Sequence, residues 1–212
     1  MRYAIFSDIH NNAAALTAVI LHAQQNQVDG YFCLGDVGVD SCIHLVREVA
    51  APTVFGNWEV GNWRGLSRLN QQWVLTLAPT LEQNDFWLTH AAPLWPSDIR
   101  TLTDFNTQRH RLSMATCFPY LHMDSDALWA SFAKLTEAKI PLMFHGHTHC
   151  QITWRFHPDN RLEKSLSRNI TLQPDETFII GVGSVGSPND APGAAYVIYD
   201  EAAQQVEMIR VR

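Results

Sequence analysis

Five short apolar runs mark the first 150 residues, and each stops at a side chain that can hold a metal. Tyr3-Ala4-Ile5-Phe6 runs into Ser7-Asp8-Ile9-His10, and Tyr31-Phe32-Cys33-Leu34 into Gly35-Asp36. Thr53-Val54-Phe55 is followed by Gly56-Asn57-Trp58-Glu59, and Phe86-Trp87-Leu88-Thr89 by His90. Pro141-Leu142-Met143-Phe144 leads into His145-Gly146-His147-Thr148-His149. Runs this short and this continuous read as strands buried on both faces. Leu16, Val19, Ile20 and Ala23 recur at helical spacing after Asn11 and Asn12, so a helix is expected to about Gln25. Ile43, Val46 and Val49 mark a second helix from Ser41 to Val49, closed by Pro52. Strand, helix, strand, helix, strand with short links predicts a parallel, right-handed sheet. Its ligands should lie at the carboxyl edge, where all these polar residues fall.

Further along, Leu66 to Leu77 reads as helix up to Pro79. An irregular stretch follows, with Pro93, Pro96, Pro119 and a polar patch from Arg100 to Arg111. Leu128, Phe132 and Leu135 place a helix over Ser125 to Ala138. Beyond Cys150 the expected strands are Ile152–Phe156, Asn169–Leu172, Phe178–Val182, Ala194–Tyr199 and Val206–Val211, forming a second, largely antiparallel sheet. Gly181 to Pro188 bends too often for a plain strand and lacks the lysine of a phosphate-binding P-loop.

At 212 residues the chain fits one domain spanning 1–212. A net charge of −6 and a pI near 5.9 argue against a stable complex with nucleic acid. They leave room for an anionic substrate drawn to a locally positive cleft. Cys33, Cys42, Cys117 and Cys150 form no Cys-x-x-Cys pair and suit a reducing compartment, so a cytoplasmic location is expected. The candidate site begins at residue 8, which leaves no room for a removable leader, and no apolar run approaches the roughly 18 residues of a membrane span.

Taken singly, a histidine is more often a satisfied core or surface residue, and an asparagine after glycine a turn residue. Taken together, Asp8, His10, Asp36, Asn57, His90, His147 and His149 make seven nitrogen and oxygen ligands, all at strand termini. That is too many for one tetrahedral zinc and suits two octahedral-like ions sharing a carboxylate.

The order Ser7-Asp8-Ile9-His10, Gly35-Asp36, Gly56-Asn57, Thr89-His90-Ala91, Gly146-His147-Thr148-His149 resembles the calcineurin-like metallophosphoesterase family. Gly183-Ser184-Val185-Gly186-Ser187-Pro188 is similar to a segment of its small bacterial and archaeal phosphodiesterase branch. The resemblance implies an α/β fold, a four-layer αββα sandwich of two mixed sheets. It also implies two divalent metal ions, manganese first, with iron, nickel, zinc or magnesium as alternatives. Asp8, His10 and His149 would hold one, Asn57, His90 and His147 the other, with Asp36 as bridge. Asn57 and His90 would act in catalysis, and Asn12 and Trp58 would meet the substrate. The implied partner is a small phosphate ester, a diester ahead of a monoester, attacked by a metal-bridging hydroxide. The alternatives are a non-catalytic interaction module of the same fold and a protein or nucleotide phosphomonoesterase. Residues from about 91 to 140 would form a substrate-recognition insert. There Arg100, Arg109, His110, Arg111 and His122 are candidates for phosphate contacts, against the simpler reading of a solvated face. Two positions depart from the family pattern: Trp58 stands where a histidine general acid is frequent, and Asn11 where glycine is frequent. His145 has no metal role in that pattern.

Overall fold

A computed structural model describes all 212 residues. In chain order the elements are β1 (Arg2–Phe6), α1 (Ala13–Gln25), β2 (Gly30–Cys33), α2 (Asp40–Glu48), α3 (Asn57–Asn62) and α4 (Arg68–Leu75). Next come β3 (Thr80–Glu82), β4 (Phe86–Thr89), α5 (Leu102–Gln108), α6 (Met114–Cys117), α7 (Ser125–Ala138) and β5 (Leu142–His145). The remainder is all strand: β6 (Gln151–Phe156), β7 (Leu162–Ser165), β8 (Asn169–Thr171), β9 (Thr177–Val182), β10 (Ala194–Asp200) and β11 (Gln205–Val211).

The strands form two mixed sheets, in the orders β2-β1-β10-β11-β8 and β3-β4-β5-β9-β6-β7. Period-two alternation explains the continuous apolar runs, because each central strand feeds two cores at once. In β1, Ala4 and Phe6 face the core beneath α1 and α2, while Ile5 faces the core between the sheets. In β5, Leu142 and Phe144 point into the inter-sheet core and Met143 packs towards α7. Helix, sheet, sheet, helix is therefore the layer order, and it requires that the inner strands carry no polar face.

The helices that brace this sandwich start where their caps dictate. Asn12 Oδ1 accepts from the Ala15 amide at α1, and Asp124 Oδ1 from the Ala127 amide at α7. The bounds of α7 coincide with the expected Ser125 to Ala138, ended by Lys139 in a left-handed conformation (φ 58°).

Four expectations are corrected. The strands beyond Cys150 do not make a sheet of their own: β10 and β11 join β1, while β9 and β6 join β5. Likewise β4 and β5 lie in a different sheet from β1 and β2, so the single parallel sheet divides into two. Alternation within a strand cannot say which of two apolar sheets it enters. Thr53–Phe55 makes only isolated bridges, Cys33 with Thr53 and Val54 with Ala78, because Pro52 and the start of α3 leave no length for a ladder. Within the stretch read as irregular, Thr101 and Asp104 form a reciprocal cap that starts α5.

Candidate metal centre

Every apolar run ends in a loop bonded to the loop of its neighbour. The amides of Ile9 and His10 both donate to the Asp36 carbonyl, at 2.9 and 3.0 Å. Gly146 N–H donates to the His90 carbonyl at 2.9 Å, and His147 N–H to Asp8 Oδ2 at 2.9 Å. Thus the strand ends of both sheets meet in one knot of backbone. Asp8, His10, Asp36, His147 and His149 all have positive φ, between 46° and 59°. Each such non-glycine residue costs roughly 1–3 kcal/mol and persists only where the surroundings over-determine it. Close approach adds to the constraint. A Cβ at Gly56 would fall inside contact distance of Asp36 Oδ1, and one at Gly146 inside that of Ser7 Oγ.

The Gly183–Ser187 loop belongs to this bracing and not to a phosphate cradle. Val185 N–H donates to the Ser7 carbonyl, Gly186 N–H to the Asp8 carbonyl and Ser184 Oγ to the same carbonyl at 2.7 Å. Its donors are therefore already engaged by the loop that carries Asp8.

Two groups of ligand atoms result, Asp8 with His10 and His149, and Asp8 with Asp36 and His90. In the first, His149 Nε2 lies 3.3 Å from Asp8 Oδ1 and 3.0 Å from His10 Nε2. In the second, His90 Nε2 lies 3.5 Å from Asp36 Oδ1 and 3.0 Å from Asn57 Oδ1. Asp36 joins them: its other oxygen, Oδ2, sits 3.7 Å from His10 Nε2.

The outer nitrogens fix which ring atoms face inward. His149 Nδ1 donates to the Ser187 carbonyl and His90 Nδ1 to the Leu34 carbonyl, each at 2.6 Å. Both rings then direct a Nε2 lone pair at other acceptors. Asp8 Oδ1 is buried and has no hydrogen-bond donor. Converging acceptors without a proton between them are the donor set that divalent cations require.

Charge makes the same demand. Asp8, Asp36 and Glu59 are all buried, and no lysine or arginine pairs with any of them. Burial, then the charge of Asp8, pushes the Asp36 carboxyl well above its ordinary range. Burial would raise Asp8 as well, but the imidazoles of His149 and His90 beside it hold it below the usual range. Burial, then Asp36, raises Glu59 to about 7. Bound cations would let all three carboxylates ionise together.

His147 stands beside these groups. Its ring lies 5.1 Å from that of His90, its Nε2 donates to the Phe118 carbonyl at 3.0 Å, and Nδ1 is left as the free lone pair. Burial, then His90, lowers its pKa to about 3, which keeps the ring neutral as a ligand must be. His145 is buried and neutral, its pKa lowered to about 4 by burial, with Nδ1 donating to the Gly146 carbonyl. Asn12 uses its amide oxygen in capping α1. Trp58 contributes a backbone N–H to Asp36 Oδ1 at 2.7 Å, while its half-buried ring packs on the first core. Arg111 pairs with Asp98, and Arg100, Arg109 and His110 touch no ligand.

Glu59 is the residue that sequence reasoning passed over. It accepts from the backbone amides of Asp36 at 2.9 Å, Val37 at 2.8 Å and Gly56 at 2.7 Å. It thereby ties the bridge loop to the loop carrying Asn57. Its signal was a glutamate three residues after Gly56, the position from which a helix's first turn is capped.

Comparison with known proteins agrees with this arrangement. Residues 1–204 match the calcineurin-like phosphoesterase superfamily domain. An uncharacterized protein of Methanocaldococcus jannaschii is 25% identical over 98% of this chain and 86% of its own. The crystal structure of a metallophosphoesterase from Sphaerobacter thermophilus superposes with a TM-score of 0.73 at 26% identity, covering 100% of this chain and 89% of that one. An archaeal phosphodiesterase shares the fold at a TM-score of 0.51 and 14% identity, with both chains covered in full. Motif order, two mixed sheets and a histidine–aspartate centre at their joined edges place the chain in the calcineurin-like phosphoesterase superfamily.

Proposed function

We propose that this protein hydrolyses a small phosphate ester, with diesters preferred, using two divalent metal ions, manganese first among them. The observation that supports this most is Asp36, which offers one oxygen to each ligand group. In this reading Asp8, His10 and His149 hold one ion, and Asn57, His90 and His147 the other. When bound, the ions make water nucleophilic near neutral pH and neutralise phosphoryl charge.

The chain's own part is orientation. The carbonyls of Ser187 and Leu34 hold His149 and His90 in the tautomer that presents Nε2. With its oxygen directed at His90, Asn57 keeps its amide N–H groups for a phosphoryl oxygen. No side chain at position 58 can protonate the departing oxygen, since an indole N–H is not an acid at neutral pH. Rates should therefore rise steeply with leaving-group acidity.

The test is hydrolysis of bis(p-nitrophenyl) phosphate and p-nitrophenyl phosphate by the full chain, chelated and then reloaded with manganese. Activity should vanish with chelator, return with manganese and be higher on the diester. Undiminished hydrolysis by metal-free protein would overturn the metal-dependent reading. A monoester preference would overturn only the diester part.

A further inference from the structure

Between α6 and α7 the chain is pinned in two cores at once. Phe118 is buried in the core beneath the first sheet's helices, and Leu121 in the core between α7 and the second sheet. Tyr120 lies between these anchors, and its carbonyl closes the turn by accepting from the Met123 and Asp124 amides at 2.8 and 2.9 Å. With its backbone held, the ring stacks on His147 at 4.1 Å and 27°, yet the residue is 49% exposed. A groove of about 450 Å³ opens beside it, walled by Phe118, Tyr120 and Met123 and edged by Asp124 and Asp126. Met123, at 79% exposure, offers a polarisable thioether to whatever enters.

Phe118 and Tyr120 both also touch His147, one through its carbonyl and one through its ring. The groove thus adjoins the candidate metal centre, with His147 lying behind its Phe118 and Tyr120 wall. Its apolar walls and half-exposed aromatic face suit a flat ring. The two carboxylates at its edge disfavour a second anionic group. We infer that this groove is the subsite for one organic arm of the ester, and that the arm is a flat, apolar group without further negative charge. This deepens the phosphoesterase reading and rests on it. It sets substrates of this kind apart from nucleoside polyphosphates, whose remaining phosphates would meet Asp124 and Asp126.

Calorimetric binding of phosphonates to manganese-loaded protein tests the subsite without catalysis. Naphthylphosphonate should bind about tenfold tighter than methylphosphonate, the scale expected of one aromatic contact. A carboxylated naphthylphosphonate should lose that advantage. Met123→Asp, at an exposed position that does not threaten folding, should remove the preference and leave methylphosphonate binding unchanged. Tyr120→Phe, which keeps the ring on His147, should retain the preference. Equal binding of the naphthyl and methyl compounds by the wild type would overturn the subsite, as would variants that weaken both alike. If methylphosphonate binds and inhibits hydrolysis while the naphthyl group adds nothing, only the subsite fails. If neither compound binds and no chelator-sensitive hydrolysis exists, the phosphoesterase reading fails and takes the subsite with it.

Discussion

The candidate metal centre and the α5–α7 rim beside it are built on opposite terms. At the centre the bridging residue is held from several sides. Asp36 is fixed through its amide by Glu59, through its carbonyl by Ile9 and His10, and through Oδ1 by Trp58. The rim is anchored by apolar side chains such as Leu102, Phe105, Phe118 and Leu121, while Tyr120 and Met123, on either side of Leu121, face solvent. Along α5 and its following turn, Arg109 and His110 are exposed and Arg111 pairs locally with Asp98. Chemistry on phosphorus needs ligands fixed to fractions of an ångström, whereas recognition of an organic arm needs surface that can vary. Strained backbone follows the same division: five of the seven candidate ligands have positive φ, while no residue from 91 to 138 does.

The contrast breaks most visibly at Asp36. Asp36→Ala should lower metal content and activity together, with hydrolysis falling about 10³-fold, because several kcal/mol of electrostatic stabilisation depend on the ions. His110→Ala on the rim should change neither. Two metals per chain in Asp36→Ala, counted by elemental analysis, would remove the bridge from the account.

A smaller effect is expected one layer further out. Glu59→Gln keeps the side chain's size, but its single oxygen cannot serve three amide donors. Metal affinity should weaken by about 10–100-fold, as for other residues that orient ligands. A metal titration that gives wild-type dissociation constants would show that the loop needs no such tie.

The smallest effect on activity is expected at the far edge of the second sheet. There Glu176 accepts from both Arg155 Nε and Nη2 and lies 2.9 Å from His157 Nδ1. The Arg155 guanidinium first, then His157, holds its carboxyl below the ordinary range. For an acid with a lowered folded-state pKa, the stabilisation is present above the unfolded value near 4.5 and is lost as pH falls through the folded one. Glu176→Gln should cost about 1–3 kcal/mol at neutral pH, and the gap from wild type should narrow on acidification. The turnover of metal-loaded enzyme should stay at the wild-type value. Thermal melts across pH read the first outcome. A parallel loss of metal in this variant would mean that the sheet edge and the centre are coupled.

Much of this centre was legible in the chain, for a local reason. Ligand atoms belong to particular side chains, and a four-residue apolar run followed by Asp, Asn or His puts them at a strand's end whatever sheet that strand enters. The bounds of α7 were legible too, since Asp124 and the spacing of Leu128, Phe132 and Leu135 act within one helix. Short polar edge strands such as Thr80–Glu82 and Leu162–Ser165 carried no comparable pattern.

What tertiary structure alone decided lies between distant segments. It assigned β10 to β1 and β9 to β5, a choice between two apolar surfaces that alternation leaves equivalent. It set the carbonyls of Leu34, Phe118 and Ser187 against His90, His147 and His149, and every residue has such a carbonyl, so no residue type announces the role. It gave Asn12 to a helix cap and Glu59 to three amides from two loops. Side-chain chemistry is written residue by residue, but hydrogen bonds between loops exist only once packing has brought the backbone together.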